Sequence, residues 1–328
     1  AKVFLAGPPL VKMATNEVAT DEELGGAEMH SRVSGVSDYL AENELDGIRI
    51  ARDIMRFVKV TQPHFIPKGN ILEPNYSPEE ILSVVSANTK VPFDIRELIM
   101  RITDGSEFSE FKPEYGNTIV TGWTHIHGYP VGIIGNNGVI FSESANKGAQ
   151  FIQLCNKNDI PIIFIHNTTG YMVGKAYEEG GIIKNGAKLI NAVSNSEVPH
   201  ITLMVGNSYG AGNYGMNGRS YKPRFLFTYP NAKIGVMGGE QLAGVMEIVQ
   251  GASAKARGIE IDEQQAAAMK AMLIQDAESK ATAWYSTSEI WDDGVIDPRE
   301  TRNYLGFVLA VCYNQPIKGT EGYGVWRH

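Results

Sequence analysis

Apolar residues along the chain fall into short runs typical of buried strands and into spacings typical of helices. The runs rich in Ile, Val and Phe, which predict strands, are residues 119–126, 129–134, 161–166, 198–205, 223–228 and 233–237. Helical spacing predicts helices over residues 94–102, 144–156 and 181–194. Strands that alternate with helices indicate an α/β domain with a parallel sheet covered on both faces. In such sheets, ligands bind beyond the carboxyl ends of the strands.

The first 93 residues have a different pattern. Residues 2–6 predict a short strand, Thr20 followed by Glu23 predicts a capped helix start, and residues 46–58 have helical spacing. A polar stretch with four prolines follows, and it predicts a linker between domains. The predicted divisions are residues 1–60, a linker over 61–93, and a domain over 94–328.

A weak internal repeat relates the two ends of the chain. Residues 3–9 resemble residues 234–239, and residues 34–38 resemble residues 293–297. If the repeat is real, the first division is the tail of one copy and the third is a complete second copy. We therefore expect the natural chain to be longer, with the sheet of the first copy lying before Ala1.

Composition and charge narrow the classes of function. The 328 residues are 43% hydrophobic, and the formal net charge of −8 argues against nucleic acid as a partner. No apolar run is long enough to span a bilayer, which takes roughly 18 residues. Cys155 and Cys312 lie far apart in apolar runs, so they predict buried free thiols in a reducing compartment.

Several kinds of catalytic site lack their sequence signature. Neither a Gly-x-Ser-x-Gly motif nor a Walker A motif occurs. His125 and His127 would face the same side of a strand, but no third ligand accompanies them, so no metal site is predicted. His166 ends a buried strand and is interpreted as a histidine satisfied by backbone contacts. Asp292 and Asp293 are interpreted as a turn or helix-end feature, with a catalytic role as the alternative.

The most informative segment is residues 206–216, which follows an apolar run and contains four glycines. If a helix begins near Ala211 or Gly212, its first N–H groups lack intrahelical partners and suit a developing oxyanion such as an enolate. A tight crossing from strand to helix, packed with small residues, explains the glycines equally well.

A second glycine-bearing segment, residues 167–174, directly follows the strand predicted before it. Two such segments after neighbouring strands point to a site at the carboxyl ends of those strands. The alternative is an ordinary loop in which Tyr171 is a core aromatic. No side-chain nucleophile accompanies the two segments, and oxyanion-stabilising amides without one suit enolate chemistry on a thioester.

Five motifs, in their order along the chain, resemble the carboxyltransferase β subunits of biotin-dependent acyl-CoA carboxylases. The motifs are residues 4–12, 24–30, 167–174, 208–216 and 292–298. Gly-Pro-Pro-Leu-Val-Lys and Gly-Ala-Gly-Asn-Tyr-Gly-Met favour the methylcrotonoyl-CoA and geranyl-CoA carboxylase type over the propionyl-CoA type. The resemblance covers essentially the whole chain.

The resemblance implies both a fold and a reaction. The family fold has two crotonase-like (ClpP/crotonase) domains, each a ββα superhelix, so we expect one complete C-terminal, biotin-side copy plus the tail of the N-terminal, acyl-CoA copy. The implied reaction moves CO2 from carboxybiotin to the enolate of an acyl-CoA, with 3-methylcrotonoyl-CoA as the first expectation. Geranyl-CoA or another acyl-CoA stays open as the substrate. Another crotonase-type hydratase or decarboxylase, and a non-catalytic assembly subunit, are the other interpretations.

The resemblance also implies roles for individual residues. The backbone N–H groups of Ala211 and Gly212 would stabilise the biotin enolate left after CO2 departs. Gly170 and Tyr171 would lie at the helix start that lines the same pocket. The positions implied for cofactor binding are Asn167, Gly174, Tyr209 and Gly210.

Partners follow from the same resemblance. Biotin would be carried by a biotin carboxylase and biotin carrier (α) subunit, acyl-CoA would be the substrate, and no metal is expected on this chain. A homo-oligomer, hexameric by resemblance, is expected in the cytoplasm of a bacterium or the mitochondrial matrix of a eukaryote. The family's N-terminal domain carries a matching oxyanion loop for the thioester, which this chain lacks.

Overall fold

The computed structural model describes residues 2–55, 65–67, 70–258 and 262–323. The chain divides into two compact units, residues 1–62 and residues 63–328. The predicted linker is therefore not a separate segment: its described part belongs to the second unit and contains a short helix. The assignment of the first unit to the tail of another domain stays a prediction.

The first unit is helical where it is described. Thr20 forms the predicted capping box, because its hydroxyl accepts from the Glu23 N–H at 3.2 Å while the Glu23 carboxylate accepts from the Thr20 N–H at 2.8 Å. The strand predicted over residues 2–6 is wrong, since only Lys2 pairs with another segment. The helices are α1 (Pro8–Thr15), α2 (Asp21–Gly25), α3 (Ala27–Met29) and α4 (Glu44–Met55).

The second unit holds a mixed sheet with helices on both faces. The strands are β1 (Ser109–Glu110), β2 (Ile119–Ile126), β3 (Tyr129–Asn136), β4 (Ile162–Thr168), β5 (His200–Tyr209), β6 (Phe225–Thr228), β7 (Lys233–Gly235) and β8 (Gly294–Val295). The helices are α5 (Ile81–Val84), α6 (Ile95–Ile102), α7 (Ser142–Lys157), α8 (Lys175–Glu179), α9 (Ile182–Ser194), α10 (Gly210–Gly215), α11 (Gly239–Arg257), α12 (Glu263–Lys280), α13 (Ala283–Ser288) and α14 (Thr301–Cys312).

The strand order is β1-β2-β3-β4-β5-β6-β8, and β7 also pairs with β5. The β1–β2 and β2–β3 pairings are antiparallel, whereas every pairing from β3 to β8 is parallel. The predicted hairpin of β2 and β3 and the predicted parallel arrangement of the later strands are both present. The predicted α/β class is confirmed.

Both faces of the central strands are buried, which explains why they appear in the sequence as continuous apolar runs. In β4, Ile163 and Ile165 face a core built with α6 and α14, while Ile162 and Phe164 face a core built with α7 and α9. β3 and β5 also pair with the two edges of β4 up to Ile165, so this part of the strand has no solvent-exposed edge. Up to Ile165, β4 is therefore held on all sides.

One strand is longer than its sequence pattern indicates. The apolar run predicted β5 to end at Val205, but β5 continues to Tyr209, so the first third of the glycine-rich segment is strand. Asn207, Ser208 and Tyr209 remain in the sheet because they pair with β7. Polar and glycine residues hide this extension from a hydrophobicity pattern.

The internal repeat has a structural counterpart. In the first unit the N–H of Val3 donates to the carbonyl of Gly25 at 2.9 Å, and in the second unit the N–H of Ile234 donates to the carbonyl of Ala281 at 2.9 Å. In both places the preceding lysine forms a 3.3 Å ion pair with a glutamate, Lys2 with Glu22 and Lys233 with Glu278. The same local arrangement thus occurs at both ends of the repeat that the sequence indicated.

Two further sequence-based expectations can be compared with the structure. Cys155 and Cys312 are both free and buried, as predicted, and burial raises the pKa of the Cys312 thiol to about 11. Of the helices in the described ranges, none is both long and apolar enough to cross a bilayer.

Truncation of a core residue of β4 tests this packing. Ile165 is fully buried, so Ile165→Ala is expected to cost about 2–5 kcal/mol of unfolding free energy and to lower the melting temperature. Ile183 on α9 is 74% exposed, so Ile183→Ala is the control and is expected to change stability by less than about 0.5 kcal/mol. Thermal unfolding of both variants measures the difference, and equal melting temperatures would contradict the assigned core.

Candidate active site

The two glycine-bearing segments lie side by side because β4 and β5 are neighbouring parallel strands. Thr168 pairs with Ser208 after a register shift beyond the His166–Met204 pair, where β5 has the extra residues. Both segments leave the sheet at its carboxyl edge, which is the edge where α/β proteins bind ligands. The two segments therefore lie at the edge of the sheet where the sequence predicted them.

The segment that follows β4 is an extended loop. Gly170 and Gly174 have φ of 133° and 129°, values that side-chain-bearing residues rarely adopt. The Gly170 N–H donates to the Thr168 hydroxyl at 3.2 Å, and Tyr171 forms a bridge with Ile140. The prediction that Gly170 and Tyr171 lie at a helix start is wrong, because α8 begins only after Gly174, its N-cap residue.

The segment that follows β5 does begin a helix. Helix α10 starts at Gly210, whose φ of 49° turns the chain out of the strand. Ala211 and Gly212 are its second and third residues, so their N–H groups precede the first intrahelical hydrogen bond. No side chain caps this end of the helix. The part of the sequence-based prediction that concerned a helix start near Ala211 and Gly212 thus agrees with the structure.

The two segments are in direct contact through glycine. A Cβ atom at Gly212 would lie 2.8 Å from the Gly170 Cα, and one at Gly215 would lie 2.4 Å from the Tyr171 hydroxyl oxygen. Likewise, a Cβ at Gly206 would lie 2.3 Å from the Asn167 side-chain oxygen. These approaches explain the glycines as packing requirements, and they also leave the first turn of α10 against the loop after β4.

A cavity of about 660 Å³ lies at the carboxyl ends of β5 and β7, beside Tyr209. One wall is formed by residues 87–90, anchored where the Asn207 side-chain amide donates to the Thr89 carbonyl at 3.1 Å. The opposite wall is formed by residues 238–241, at the start of α11. Sequence patterns did not indicate the first wall, because it belongs to the stretch predicted to be a linker.

The charged groups of the cavity are paired. Lys233 contacts Glu278 at 3.3 Å, and Lys90 contacts Glu240 at 3.1 Å. Burial raises the pKa of the Tyr209 phenol, and the nearby Glu278 carboxylate raises it further. The cavity therefore carries no free carboxylate that could act as a general base among its described lining residues.

A buried polar cluster lies behind α10. His166 and His200 are almost completely enclosed, and burial lowers the pKa of each to about 4. Both imidazoles are consequently neutral at physiological pH. His166 contacts the Met216 carbonyl, as predicted, and it also contacts the Ser208 hydroxyl, which the sequence did not indicate.

The remaining polar candidates from the sequence are two histidines near the end of β2 and two aspartates in a turn. His125 lies in β2, but His127 lies in the turn after it with φ of 50°, so the two histidines are not on one strand face. No group of three potential metal-binding side chains occurs in the described ranges. Asp292 accepts from the Thr228 hydroxyl at 2.9 Å and Asp293 from the Leu226 N–H at 2.7 Å, contacts that tie this turn to β6.

Comparison with known proteins identifies the family. The family described as Carboxyl transferase domain matches residues 1–321 of the chain. The chain belongs to this carboxyl transferase family. The family resemblance expected from the five motifs is therefore confirmed.

Individual relatives of this carboxyl transferase chain are biotin-dependent carboxylase subunits. A probable biotin-dependent acyl-coenzyme A carboxylase β2 subunit of Mycobacterium tuberculosis is 56% identical over 100% of this chain and 62% of the relative. The mitochondrial methylcrotonoyl-CoA carboxylase β chain of Arabidopsis thaliana is 49% identical over 99% of this chain and 56% of the relative. The chain thus spans about three fifths of the length of these relatives.

Solved structures agree with this family assignment. The β subunit of geranyl-CoA carboxylase from P. aeruginosa is 46% identical, with a TM-score of 0.77 over 98% of this chain and 60% of that subunit. Transcarboxylase 12S is 28% identical, with a TM-score of 0.66 over 100% of this chain and 62% of that protein. The predicted crotonase-like fold is confirmed by these neighbours.

The neutral buried histidines predict a loss of stability at acidic pH. An unfolded histidine has a pKa of 6.5, whereas the folded values for His166 and His200 are about 4, so the unfolded chain binds more protons between these values. The free energy of unfolding keeps its full value above pH 6.5 and declines as the pH falls toward 4. At about pH 5, each of the two histidines is expected to lower the free energy of unfolding by about 2 kcal/mol.

Melting temperatures between about pH 7.5 and pH 5 measure this effect. His200→Asn is expected to lower the melting temperature at neutral pH but to flatten its decline with acidification. His125→Asn, which changes an exposed histidine, is the control and should keep the wild-type decline. A His200→Asn variant whose decline is as steep as that of the wild type would contradict the assignment.

Proposed function

We propose that this chain is the biotin-side part of a carboxyltransferase that moves CO2 from carboxybiotin to an acyl-CoA. The observation that carries the proposal is its similarity, over nearly its whole length, to methylcrotonoyl-CoA carboxylase β chains at 46–49% identity. The neighbouring geranyl-CoA carboxylase β subunit supports the same reaction class. Our first expectation for the substrate is 3-methylcrotonoyl-CoA.

The residues around α10 fit the ureido group of biotin. The N–H groups of Ala211 and Gly212 are left without helix partners, and the absence of a side chain at Gly212 lets the loop after β4 pack directly against this turn. In the proposed role, these two N–H groups donate to the ureido oxygen of biotin and stabilise negative charge that develops there. Carboxybiotin, when bound, supplies the CO2 and a base.

The other predicted site residues take supporting roles in this proposal. Gly170, Tyr171 and Asn167 form the surface against which the glycines of residues 206–215 pack. Gly210 supplies the positive φ that starts α10, and Tyr209 lines the adjacent cavity. Gly174 is the N-cap residue of α8, at the exposed end of the same loop, and in this proposal it bounds the biotin site.

The titratable side chains near α10, Tyr171 and His166, are poorly suited to accept a proton from the substrate. Burial raises the pKa of the Tyr171 phenol far above neutrality, and His166 is neutral and fully buried. These properties support a mechanism in which backbone amides stabilise charge and the proton is accepted elsewhere. A crotonase-type hydratase would need carboxylates facing the thioester, and the cavity carboxylates Glu240 and Glu278 are in ion pairs.

We further propose the partners that this reaction requires. A biotin carboxylase and biotin carrier (α) subunit would deliver carboxybiotin, and the β chains would form a homo-oligomer. Transcarboxylase 12S, whose structure is described as a hexamer assembly, supports a hexamer. The proposed compartment is the cytoplasm in a bacterium or the mitochondrial matrix in a eukaryote, the latter supported by relatives described as mitochondrial.

Substitution of Gly212 tests the amide role. In the full-length carboxylase, Gly212→Val places atoms against Gly170 and moves the N–H groups of the first turn, so we expect carboxyl transfer to fall on the order of 100- to 1,000-fold. Gly244→Val is the control, because a Cβ at Gly244 meets no atom within 4 Å. Transfer at the wild-type rate in an assembled Gly212→Val enzyme would contradict the proposed role.

A panel of acyl-CoA thioesters tests the reaction itself. The full-length protein, with its biotin-carrying partner, ATP and bicarbonate, is expected to carboxylate 3-methylcrotonoyl-CoA with a higher kcat/KM than propionyl-CoA. A higher kcat/KM for geranyl-CoA would keep the reaction and change the substrate. Hydration of an enoyl-CoA without any carboxylation would contradict the proposed function.

A further inference from the structure

We infer that His166 is a positioning residue for carboxyl transfer: through Ser208 it holds Asn213, which follows Gly212 in α10, and directly it holds Met216 at the end of α10. This inference rests on the proposed function, because His166 would affect the reaction by fixing the orientation of the N–H groups of Ala211 and Gly212. The imidazole itself lies behind the helix, is fully buried and contacts no predicted ligand position.

The hydrogen bonds form one continuous path. The Asn213 side-chain nitrogen donates to the Ser208 hydroxyl at 2.8 Å, and that hydroxyl lies 2.8 Å from His166 Nδ1. His166 Nε2 contacts the carbonyl oxygen of Met216. All four residues are buried, with exposed fractions of 8% or less, so water does not compete for these bonds.

The direction of every bond in this path is determined by its chemistry. A carbonyl oxygen only accepts, so Nε2 of His166 carries the proton and donates to Met216. In a neutral imidazole, Nδ1 is then an acceptor, so the Ser208 hydroxyl must donate to it. The Ser208 oxygen is left to accept, and the side-chain amide of Asn213 supplies the donor. No other arrangement of protons satisfies all four groups.

The path clamps α10 to β4 at two points. Asn213 follows Gly212 directly in the middle of the helix, and Met216 is its C-cap residue. His166 lies in β4, one residue beyond the last pair with β3, and it pairs with Met204 of β5. One side chain therefore connects the sheet to the middle and to the end of a six-residue helix that has no side-chain cap of its own.

The other constraint on the orientation of α10 is the packing of Gly212 against Gly170 and of Gly215 against Tyr171. The amides of Ala211 and Gly212 must point at a developing charge to within a fraction of an ångström, and a misplacement of about 1 Å costs on the order of 100-fold in rate. The clamp thus acts on the rate of the reaction rather than on the binding of acyl-CoA, which we have assigned mainly to another part of the enzyme.

Ser208→Ala breaks the path with the loss of one oxygen atom. In the full-length carboxylase we expect kcat for carboxyl transfer to fall on the order of 10- to 100-fold, with KM for the acyl-CoA unchanged. We also expect amide hydrogen exchange over residues 213–216 to become about tenfold faster. Ser208→Cys, which keeps a weak donor, is expected to give intermediate values for both quantities.

Thr202→Val is the matched control. Thr202 is a fully buried hydroxyl of the same strand, with two hydrogen bonds, but it holds Asn217 beyond the end of α10. It is expected to lower the melting temperature as Ser208→Ala does, and to leave kcat and the exchange of residues 213–216 near their wild-type values. An equal fall of kcat in both variants would reduce the role of the path to general stability and overturn the inference.

The two readouts separate this inference from the proposed function. Wild-type protein that carboxylates no acyl-CoA would contradict the proposed function, whatever the exchange data show. Active wild-type protein together with a Ser208→Ala variant that keeps the wild-type kcat and exchange would overturn the positioning role alone. If Ser208→Ala does not assemble, the comparison is made between Ser208→Cys and Thr202→Val, with the same expected order of kcat values.

Discussion

The parallel pairing of β4 with β5 is the constraint on which the rest of the site depends. Both strands are buried on both faces, so their register is held by the two cores as well as by the ladder of hydrogen bonds. A slip by one residue would turn Ile163 and Ile165 out of one core and into the other. Beyond His166 the register shifts so that Thr168 lies beside Ser208, and this shifted pairing fixes where the two glycine-bearing segments leave the sheet.

The contacts between those segments follow from this pairing. Gly212 lies against Gly170, and Gly215 lies against Tyr171, at distances that leave no room for side chains. Behind them, the polar path from His166 to Asn213 ties α10 to the sheet. Packing on one side of the helix and hydrogen bonds on the other therefore hold the same two backbone amides in place.

One local arrangement of backbone and charged groups occurs in both units. The Val3–Gly25 and Ile234–Ala281 hydrogen bonds are each accompanied by a lysine–glutamate ion pair. In the second unit this arrangement is joined to β5 through β7, and its ion pair lines the cavity beside Tyr209.

Strand and helix positions were largely predictable from the sequence. Periodicity reports burial, and β4, α7 and α9 are each buried in a single regular pattern, so their predicted limits agree with the structure to within two residues. The pattern failed where burial is not apolar. The last four residues of β5 include glycine, asparagine and serine. Residues 2–6 are mostly apolar, yet only Lys2 forms a backbone bridge with another segment.

What the sequence determined by itself was the family, the fold class and the edge of the sheet where the two glycine-bearing segments leave it, because glycine spacing and apolar runs are local properties. Only the tertiary structure decided which atoms meet. It separated Gly170 and Tyr171 from any helix start, made residues 87–90 a wall of the cavity, and joined His166, Ser208 and Asn213 into one path. Those contacts join residues that are far apart in the chain, and their geometry depends on strand register and on a register shift between β4 and β5 that no local pattern records.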